Sequence, residues 1–564
     1  MRKHSKAQLL ILISLAAAIP RIYLGATQHI DYDGYLHVFI AMQNKWEIFW
    51  QEYQANFHPL LFYLLLKVVL WFGRSALIYR AISILTGVGS VFIVGKVAEK
   101  LSLWRYTPAI AALAYGFALP SIIISNEVRS YMLCVFFVLV SFCYFLDTLD
   151  GRHHLKSRIC FAAFAIIGIG SHYCAFFYVF ACGLVAGAYG LLSFRHKFLN
   201  RIVSDLATFL PIVSVGGLMY YAHVRIHAAI ANHLLDFYFQ PGQGETLTGF
   251  LFRNAQYLFN SFSPVEVKTS AGFIVVLVGL VVAASLTVYV IRTPLPENAR
   301  ASAMILVTSI ILGSMIACGI LGWYPFGGYL RQQFILFPFT VTWGCVLLDR
   351  SANVISDGRF KTLLAAAVIL LIVAVSVRQF SQFPKDSTDL YSSEMNSFRE
   401  TFPSHPAAVY VDQFSLILFF IYHRDWDWQF ARYSGSNPAV PTLQIYRVSK
   451  GTKQFLLIRD LTRWNADVRD PALYTDLAAV IRSQALPSIT TFCIRQFPEP
   501  PDNQKNSALK NQIIESASAV KLCVNEPSLV TTLITYIELT DGPCNTNLQS
   551  RLPSAPLQLF DQAN

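Results

Sequence analysis

Charged residues are scarce in this sequence. Over all 564 residues they make up 14% of the chain, whereas hydrophobic residues make up 54%. Apolar stretches of roughly 16 to 22 residues recur along the first 378 residues, which is close to the length that crosses a bilayer as a helix. A soluble protein of this length does not have such a composition, so the sequence predicts an integral membrane protein with many spans.

Several other features are missing. The sequence has no CxxC pair and no His/Cys cluster with zinc spacing, which argues against a structural metal. It also has no glycine-rich nucleotide-binding fingerprint in its C-terminal region and no internal repeat of the kind found in many transporters. Seven of the ten cysteines lie in or beside apolar segments. If the C-terminal region is extracytoplasmic, Cys493, Cys523 and Cys544 can form one disulfide and leave one thiol, and the pair stays open.

The net charge of +11 is unevenly distributed. Residues 379–564 contain 16 Lys/Arg and 18 Asp/Glu, a net charge of −2, so the first 378 residues carry 28 Lys/Arg against 15 Asp/Glu, a net charge of +13. Basic cytoplasmic loops produce this excess in membrane proteins. Nucleic-acid binding is therefore not needed to explain the charge, and we expect no nucleic-acid partner.

The positions of the basic residues predict the topology. Arg2, Lys3 and Lys6 precede the first apolar run, which has no clear signal-peptidase site, so we expect an uncleaved first span with a cytoplasmic N-terminus. The eleven predicted spans are 8–24, 78–95, 107–124, 129–147, 158–174, 176–193, 205–222, 272–291, 302–321, 331–348 and 361–377. The connections that are then cytoplasmic are all basic: 96–106, 147–158, 195–201, 292–300 and 349–361.

Residues 59–72 (PLLFYLLLKVVLWF) are difficult to place. Counting them as a span would put every later basic loop outside the cell, and roughly 14 residues are short for a crossing. An interfacial or re-entrant helix, or a hidden pair of crossings between residues 57 and 95, preserves the sidedness.

An odd number of spans places residues 379–564 outside the cytoplasm. In this region AAVYVD, KQFLLI and SITTFCI resemble strands and LILFFIYH resembles a helix. The predicted fold class is mainly α: a polytopic membrane domain over residues 1–378, followed by a small extracytoplasmic α/β domain over residues 379–564.

The connections predicted to be extracytoplasmic carry the candidate site residues. In chain order these are Asp31, Asp33, His37, His58, Glu127, Arg129, Tyr131, His172, Tyr173, Tyr324 and Arg331. Two aspartates one residue apart can bind a divalent cation, or one of them can act as a general base while the other orients it, although solvated loop carboxylates are also common. The arginines can bind a phosphate or extend to the membrane surface. The histidines and tyrosines can likewise be ordinary residues of the membrane interface.

Taken in order, these segments resemble the GT-C superfamily of integral-membrane glycosyltransferases. The resemblance is to the branch with the protein O-mannosyltransferases and the aminoarabinose-to-lipid A transferases. The matching segments, spread over residues 1 to about 378, are DYDGYLH, FHPLLFYLLLK, LPSIIISNEVRSYML, SHY and YLRQQFILFP. The first of them has Asp-Tyr-Asp where the family has an adjacent Asp-Glu pair, and a single proline follows His58 where the family has two.

The resemblance implies transfer of a sugar, with inversion, from a polyprenyl-phosphate donor to a hydroxyl of a lipid, glycan or protein acceptor at the outer face of a bacterial inner membrane. It implies that Asp33 or Asp31 is the general base and that Arg129 and Arg331 hold the departing phosphate. Glu127 and Tyr131 would shape the pocket, and His58 would lie at the phosphate or sugar. No cofactor is certain, and a divalent cation stays open.

Two other classes of function stay open. A flippase or transporter of lipid-linked saccharides, without group transfer, is expected to bury ionisable residues along a pathway in mid-span, whereas nearly all strong charges here lie at predicted span ends. A membrane-anchored scaffold built around the C-terminal domain leaves the ordered outer motifs unexplained. Surface chemistry is therefore the favoured interpretation.

Overall fold

The chain divides into two compact units, residues 1–42 with 50–387 and residues 43–49 with 388–564. The computed structural model describes residues 3–56, 58–149, 154–192, 198–225, 238–262, 296–326, 330–354, 357–382, 408–434, 442–494, 503–530 and 534–542.

The described part of the first unit is helical. Its helices are α1 (Lys3–Thr27), α2 (Tyr32–Met42), α3 (Trp46–Gln54, which begins in the second unit), α4 (Leu60–Val69), α5 (Ala76–Leu101), α6 (Thr107–Gly116), α7 (Leu119–Asn126), α8 (Tyr131–Leu149), α9 (His154–Ser171), α10 (Ala175–Leu192), α11 (Phe198–Met219), α12 (Leu247–Phe262), α13 (Pro296–Ile320), α14 (Leu336–Val354) and α15 (Gly358–Gln382). Short helical turns cover Leu70–Phe72, Tyr220–Val224, Pro241–Gln243 and Leu330–Gln333.

Six of these helices are long and apolar enough to cross a membrane: α1, α5, α8, α11, α13 and α15. A seventh crossing results if α6 and α7, which meet at 53°, form one bent span. The predicted span 272–291 lies outside the described residues, so the count of eleven stays a prediction. The predicted class, a mainly helical multi-span chain with a small C-terminal α/β domain, is confirmed.

The difficult segment 59–72 forms α4 and the turn Leu70–Phe72. Phe62, Tyr63 and Leu66 are buried on one side, whereas Trp71 and Phe72 are 80% and 77% exposed. This one-sided burial is typical of an amphipathic helix at an interface.

The predicted span 107–124 is broken, and a buried arginine fills the break. Arg21, on α1, is 0% exposed. Its Nη1 donates to the carbonyl of Gly116 at 2.7 Å, and its Nε and Nη2 donate to the hydroxyls of Ser125 and Ser121 at 3.0 and 2.7 Å. Because a broken helix leaves carbonyls without partners, Arg21 stabilises the bend between α6 and α7.

At the start of α6, a buried aspartate accepts hydrogen bonds from backbone N–H groups. The carboxylate of Asp349, on α14, accepts hydrogen bonds from the backbone N–H groups of Leu103 and Trp104 at 3.0 and 2.6 Å and from the Thr107 hydroxyl at 2.7 Å. An anion is favoured at a helix N-terminus, where backbone N–H groups lack partners within the helix. Asp349 therefore fixes the connection from α5 to α6 against α14.

The second unit contains a seven-stranded sheet in the order β2-β3-β4-β1-β5-β7-β6. The strands are β1 (Ala408–Val411), β2 (Asp427–Ser434), β3 (Leu443–Lys450), β4 (Lys453–Asp460), β5 (Ile489–Ile494), β6 (Leu522–Val530) and β7 (Ile534–Asp541), and the helices are α16 (Gln413–Tyr422), α17 (Pro471–Gln484) and α18 (Asn503–Ala519). The central strand β1 pairs in parallel with β4 and β5, and the outer pairs are antiparallel.

The four elements expected in this region are present. AAVYVD, KQFLLI and SITTFCI supply β1, β4 and β5, and LILFFIYH lies on α16. Phe419 of α16 packs on Phe492 of β5 with ring centroids 5.5 Å apart, while Tyr410 of β1 joins a core with α17 and α18. Since adjacent strand side chains point to opposite faces, the sheet is covered on both.

The structure describes two of the three C-terminal cysteines for which one disulfide and one free thiol were expected. Cys523 is disulfide-bonded and Cys493 is a buried free thiol, while Cys544 lies outside the described residues.

We expect Asp349→Ala to loosen the connection between α5 and α6, because three donors lose their buried acceptor. Trypsin should then cleave after the exposed Arg105 about tenfold faster. This factor corresponds to a decrease of roughly 1.4 kcal/mol in the free energy of local opening. The cleavage should occur in inside-out vesicles, where the predicted cytoplasmic loop is accessible.

Asp357→Ala is the matched control, because this aspartate caps α15 from an exposed position through the N–H of Arg359. Equal cleavage of both variants would contradict the capping role of Asp349. Cleavage in right-side-out vesicles would contradict the orientation.

Candidate active site

The first aspartate caps the helix that carries the second. Asp31 precedes α2, and its Oδ1 accepts the backbone N–H of Gly34 at 2.9 Å. A Cβ on residue 34 would lie 2.7 Å from this same oxygen, so only glycine permits so close an approach. Asp33, in the first turn of α2, thus takes its position from the Asp31 cap.

Arg129 joins both aspartates to a third carboxylate. It lies between α7 and α8, and its Nη2 donates to Asp31 Oδ2 at 2.9 Å and to Asp33 Oδ2. Its Nε lies 3.6 Å from Oε2 of Glu127. The Arg129 side chain is only 5% exposed, whereas those of Asp31 and Asp33 are 50% and 42% exposed. The buried guanidinium therefore faces two half-open carboxylates.

Arg331 completes the cluster from a third part of the chain. It lies on the turn Leu330–Gln333, and its Nη1 is 3.4 Å from Asp33 Oδ2, across 298 residues of sequence. Two guanidinium groups thus meet three carboxylates, with one net negative charge when all are ionised. This group of five, Asp31, Asp33, Glu127, Arg129 and Arg331, is called the charge cluster below.

The carboxylates of the charge cluster differ in proton affinity. Burial would raise the pKa of Asp33, but the positive charges of Arg129 and Arg331 outweigh it and hold that pKa below its usual value. For Glu127 burial outweighs the attraction of Arg129, and the negative charges of Asp31 and Asp33 add to it, raising its pKa to about 7. Near neutral pH, Glu127 can therefore exchange a proton.

Three histidines extend inward from the charge cluster. His37 and His58 have ring centroids 4.8 Å apart, and His58 and His172 are 5.4 Å apart. Nδ1 of His37 shares a hydrogen bond of 2.9 Å with the hydroxyl of Tyr63. Burial, followed by the charge of Arg129, lowers the pKa of His37 to about 3, and burial beside His37 lowers the pKa of His58 well below its usual value. Both rings are therefore neutral hydrogen-bonding groups.

The remaining predicted residues border this region at different points. Tyr131 packs on His172, with centroids 4.5 Å apart. Tyr173 hydrogen bonds through its hydroxyl to Nδ1 of His223 at 2.6 Å. Tyr324 donates to the backbone carbonyl of Gln332 at 2.9 Å, so its direct contact is with the turn that carries Arg331.

Arg80 is the residue that sequence reasoning missed. It is 2% exposed, and its guanidinium donates to the carbonyls of Gly25 and Gln28 at 2.8 and 2.9 Å, of His29 at 2.7 Å and of Asn126 at 2.6 Å. These carbonyls end α1 just before Asp31 and end α7 just before Glu127. Arg80 therefore ties together the two segments that deliver the acids of the charge cluster. Its position near the start of an apolar run was the only signal in the sequence.

Tyr63 and His223 were also not assigned roles, although Tyr63 lies in the segment 59–72 that the sequence singled out. Their partners come from distant helices, and nothing in the local sequence encodes those contacts.

Within the described residues, no three His, Cys, Asp or Glu side chains are arranged to hold a metal ion. The carboxylates of the charge cluster are paired with arginine.

No protein-family model matches the chain, and no curated protein matches its sequence. Among solved structures it is similar to ArnT from Cupriavidus metallidurans bound to undecaprenyl phosphate, with 11% identity and a TM-score of 0.46 over 94% of this chain and 97% of that chain. The apo state of the same ArnT matches with 13% identity and a TM-score of 0.39 over 65% and 71%. The apo oligosaccharyltransferase of Archaeoglobus fulgidus matches with 13% identity and a TM-score of 0.41 over 71% and 59%.

At identities of 13% or less and TM-scores of 0.46 or less, the function of this chain has to be inferred from its own residues.

We expect Arg80→Gln to destabilise the protein, because an amide offers too few donors to satisfy four carbonyls in an apolar setting. Purified full-length protein should lose about 2 °C in Tm, as a loss of roughly 2 kcal/mol would produce in a chain of this size. Arg105→Gln, which changes an exposed arginine beside Tyr106, is the control. A Tm for Arg80→Gln equal to that of the control would show that the four bonds are dispensable.

Proposed function

We propose that this chain is a glycosyltransferase that moves a sugar from a polyprenyl-phosphate donor to an acceptor hydroxyl at the outer face of the membrane, with inversion. The observation that carries the proposal is the charge cluster. Residues from three distant segments bring two arginines and three carboxylates together, each segment adjoining an apolar helix. Phosphate recognition and proton transfer can therefore occur at one place.

The arginines suit the donor's phosphate. A guanidinium offers planar, paired N–H donors that match phosphate oxygens, and its charge is permanent. In the proposed reaction Arg129 and Arg331 bind the phosphate of the donor and stabilise the negative charge that develops as it leaves. A lipid-borne phosphate fits a site on a chain of apolar helices.

The carboxylates suit activation of the acceptor. One of them removes the proton from the acceptor hydroxyl, whose oxygen attacks the anomeric carbon from the side opposite the phosphate. Asp33 or Asp31 has this role by resemblance, with Glu127 and Tyr131 shaping the pocket. A phosphodiester is already a good leaving group, so positioning and charge stabilisation are enough without a nucleotide.

The neutral rings suit the sugar. His37 and His58 can donate or accept hydrogen bonds without adding charge, and His172, Tyr173 and Tyr324 would line the same pocket. We propose that the donor sugar lies against this group. The identity of the sugar, and the choice among lipid, glycan and protein acceptors, follow from the test below.

Arg21 and Arg80, two deeply buried arginines of the first unit that lie outside the charge cluster, favour a transferase over a flippase. Arg21 and Arg80 donate to carbonyls and serine hydroxyls of neighbouring helices. Because these donors hold the fold together, they do not provide a hydrophilic pathway across the membrane. We further propose a bacterial inner-membrane location, with residues 1–378 catalytic and residues 379–564 extracytoplasmic.

Arg129→Lys is expected to lower transfer at least about 100-fold, because a point ammonium cannot make the bonds of a planar guanidinium to phosphate and to two aspartates. The measurement is mass spectrometry of cell-envelope glycans in cells lacking the gene and carrying either variant or wild type. Deletion should remove one defined sugar, and wild type should restore it.

Arg105→Lys, which keeps charge at an exposed position away from the charge cluster, is the control and should restore the sugar fully. An envelope unchanged by deletion would count against the transferase. Full restoration by Arg129→Lys would count against the phosphate role of Arg129 alone.

A further inference from the structure

The three carboxylates of the charge cluster are not equally able to accept a proton. Both oxygens of Asp31 are engaged, Oδ1 by the N–H of Gly34 and Oδ2 by Arg129. Oδ2 of Asp33 accepts from both arginines. A carboxylate bound to guanidinium groups is a weak base, because protonation would forfeit those ion pairs. The aspartates are therefore better suited to holding the arginines than to taking a proton.

Glu127 has a different environment. Its Oε2 is buried and makes no hydrogen bond to any described residue, and its nearest charged partner, Nε of Arg129, is 3.6 Å away. The charged groups around it are Arg129 beside it, Asp31 and Asp33 from the start of α2, and Arg331 from the turn before α14. The side chain as a whole retains 23% exposure, at atoms other than the buried Oε2, so a substrate can reach the side chain.

We infer that Glu127, rather than Asp31 or Asp33, is the catalytic residue that takes the proton from the acceptor hydroxyl. The inference rests on the proposed glycosyl transfer and assigns one of its steps. Asp31 and Asp33 are then positioning residues that hold Arg129 and Arg331 for the phosphate.

The step balances in atoms and charge. The O–H bond of the acceptor breaks, its proton passes to the Glu127 carboxylate, and its oxygen forms a bond to the anomeric carbon. The bond from that carbon to the phosphate oxygen breaks, and its electron pair leaves with the polyprenyl phosphate. One negative charge therefore disappears from Glu127 as one appears on the phosphate.

This shift of negative charge from the base to the phosphate favours a base that lies beside the phosphate-binding arginines. With Glu127 ionised, the charge cluster carries one net negative charge, and with Glu127 protonated it is neutral. The departing phosphate dianion then meets two arginines balanced by two carboxylates instead of three. Burial raises the pKa of Glu127 to about 7, so both states are accessible near neutral pH.

Binding of undecaprenyl phosphate, a probe for the leaving group, separates Glu127 from the aspartates. Full-length protein in nanodiscs should bind it about tenfold more weakly at pH 8 than at pH 6, because ionised Glu127 adds a repelling charge. Glu127→Gln should bind tightly at both pH values. The second ionisation of the phosphate itself, near pH 6, affects both proteins equally, so the difference between them reports Glu127.

Transfer is tested with the same variants. Glu127→Gln should lower sugar incorporation in native membranes at least about 100-fold while retaining probe binding, and Glu127→Asp should restore part of it. Wild-type incorporation should rise with pH through about 7, as the base ionises, and the residual activity of Glu127→Gln should lack this rise. Glu99→Gln, which removes a carboxylate paired with Lys96 far from the charge cluster, is the control and should match wild type.

The outcomes distinguish two failures. If wild type does not bind the probe and membranes incorporate no sugar, the proposed function fails. If wild type binds and transfers, but Glu127→Gln transfers at the wild-type rate or shows the same pH dependence of binding, the assignment of Glu127 fails and the transferase stands.

Discussion

The charge cluster depends on one buried cation. A guanidinium withdrawn from water is destabilising by several kcal/mol unless anions and hydrogen bonds compensate it. Arg129, at 5% exposure, obtains that compensation from Glu127 two residues earlier and from Asp31 and Asp33 nearly a hundred residues earlier. The ion pairs therefore bind the start of α2 to the start of α8. The same acids that make the site chemically useful are needed for the arginine to be there at all.

Helix ends impose the second constraint. The last carbonyls of a helix have no partner within it, and an apolar surrounding offers no water to satisfy them. Arg80 satisfies such carbonyls at the ends of α1 and α7, and Arg21 does so at the break after Gly116. The ends of α1 and α7 each precede a segment that carries charged residues of the site. At Arg80, satisfying the backbone and positioning the catalytic groups are thus one structural task, which explains why its partners are carbonyls rather than acids.

Much of the fold and of the charge cluster could be predicted from the sequence. The features that could not be predicted have a common cause. Apolar length indicated the helices, alternating and β-branched runs indicated β1, β4 and β5, and the order of Asp33, Arg129 and Arg331 along alternate loops indicated that they share one side. Each of these signals is carried by side-chain type. The contacts of Arg80, and that of Arg21 with Gly116, are with backbone carbonyls. Every residue possesses a carbonyl, so no pattern of residue types indicates these contacts. The bend that divides the predicted span 107–124 depends on the same interactions.

The difference in proton affinity among the acids of the charge cluster could not be predicted from the sequence either, because it arises from how deeply each acid is buried rather than from residue type. Asp31 and Asp33 lie half open to solvent and close to guanidinium groups. At Asp33 burial would raise the pKa, but the positive charges of Arg129 and Arg331 outweigh burial and lower it. Glu127 is more deeply placed and feels both of those charges across a region with little water, where electrostatic interactions are strong. Burial is the main cause of the raised pKa of Glu127, and the exposed pair adds to it. In the proposed reaction the two aspartates act on the acceptor through Glu127 and on the donor through the arginines, so a single arrangement of fixed charges prepares both substrates.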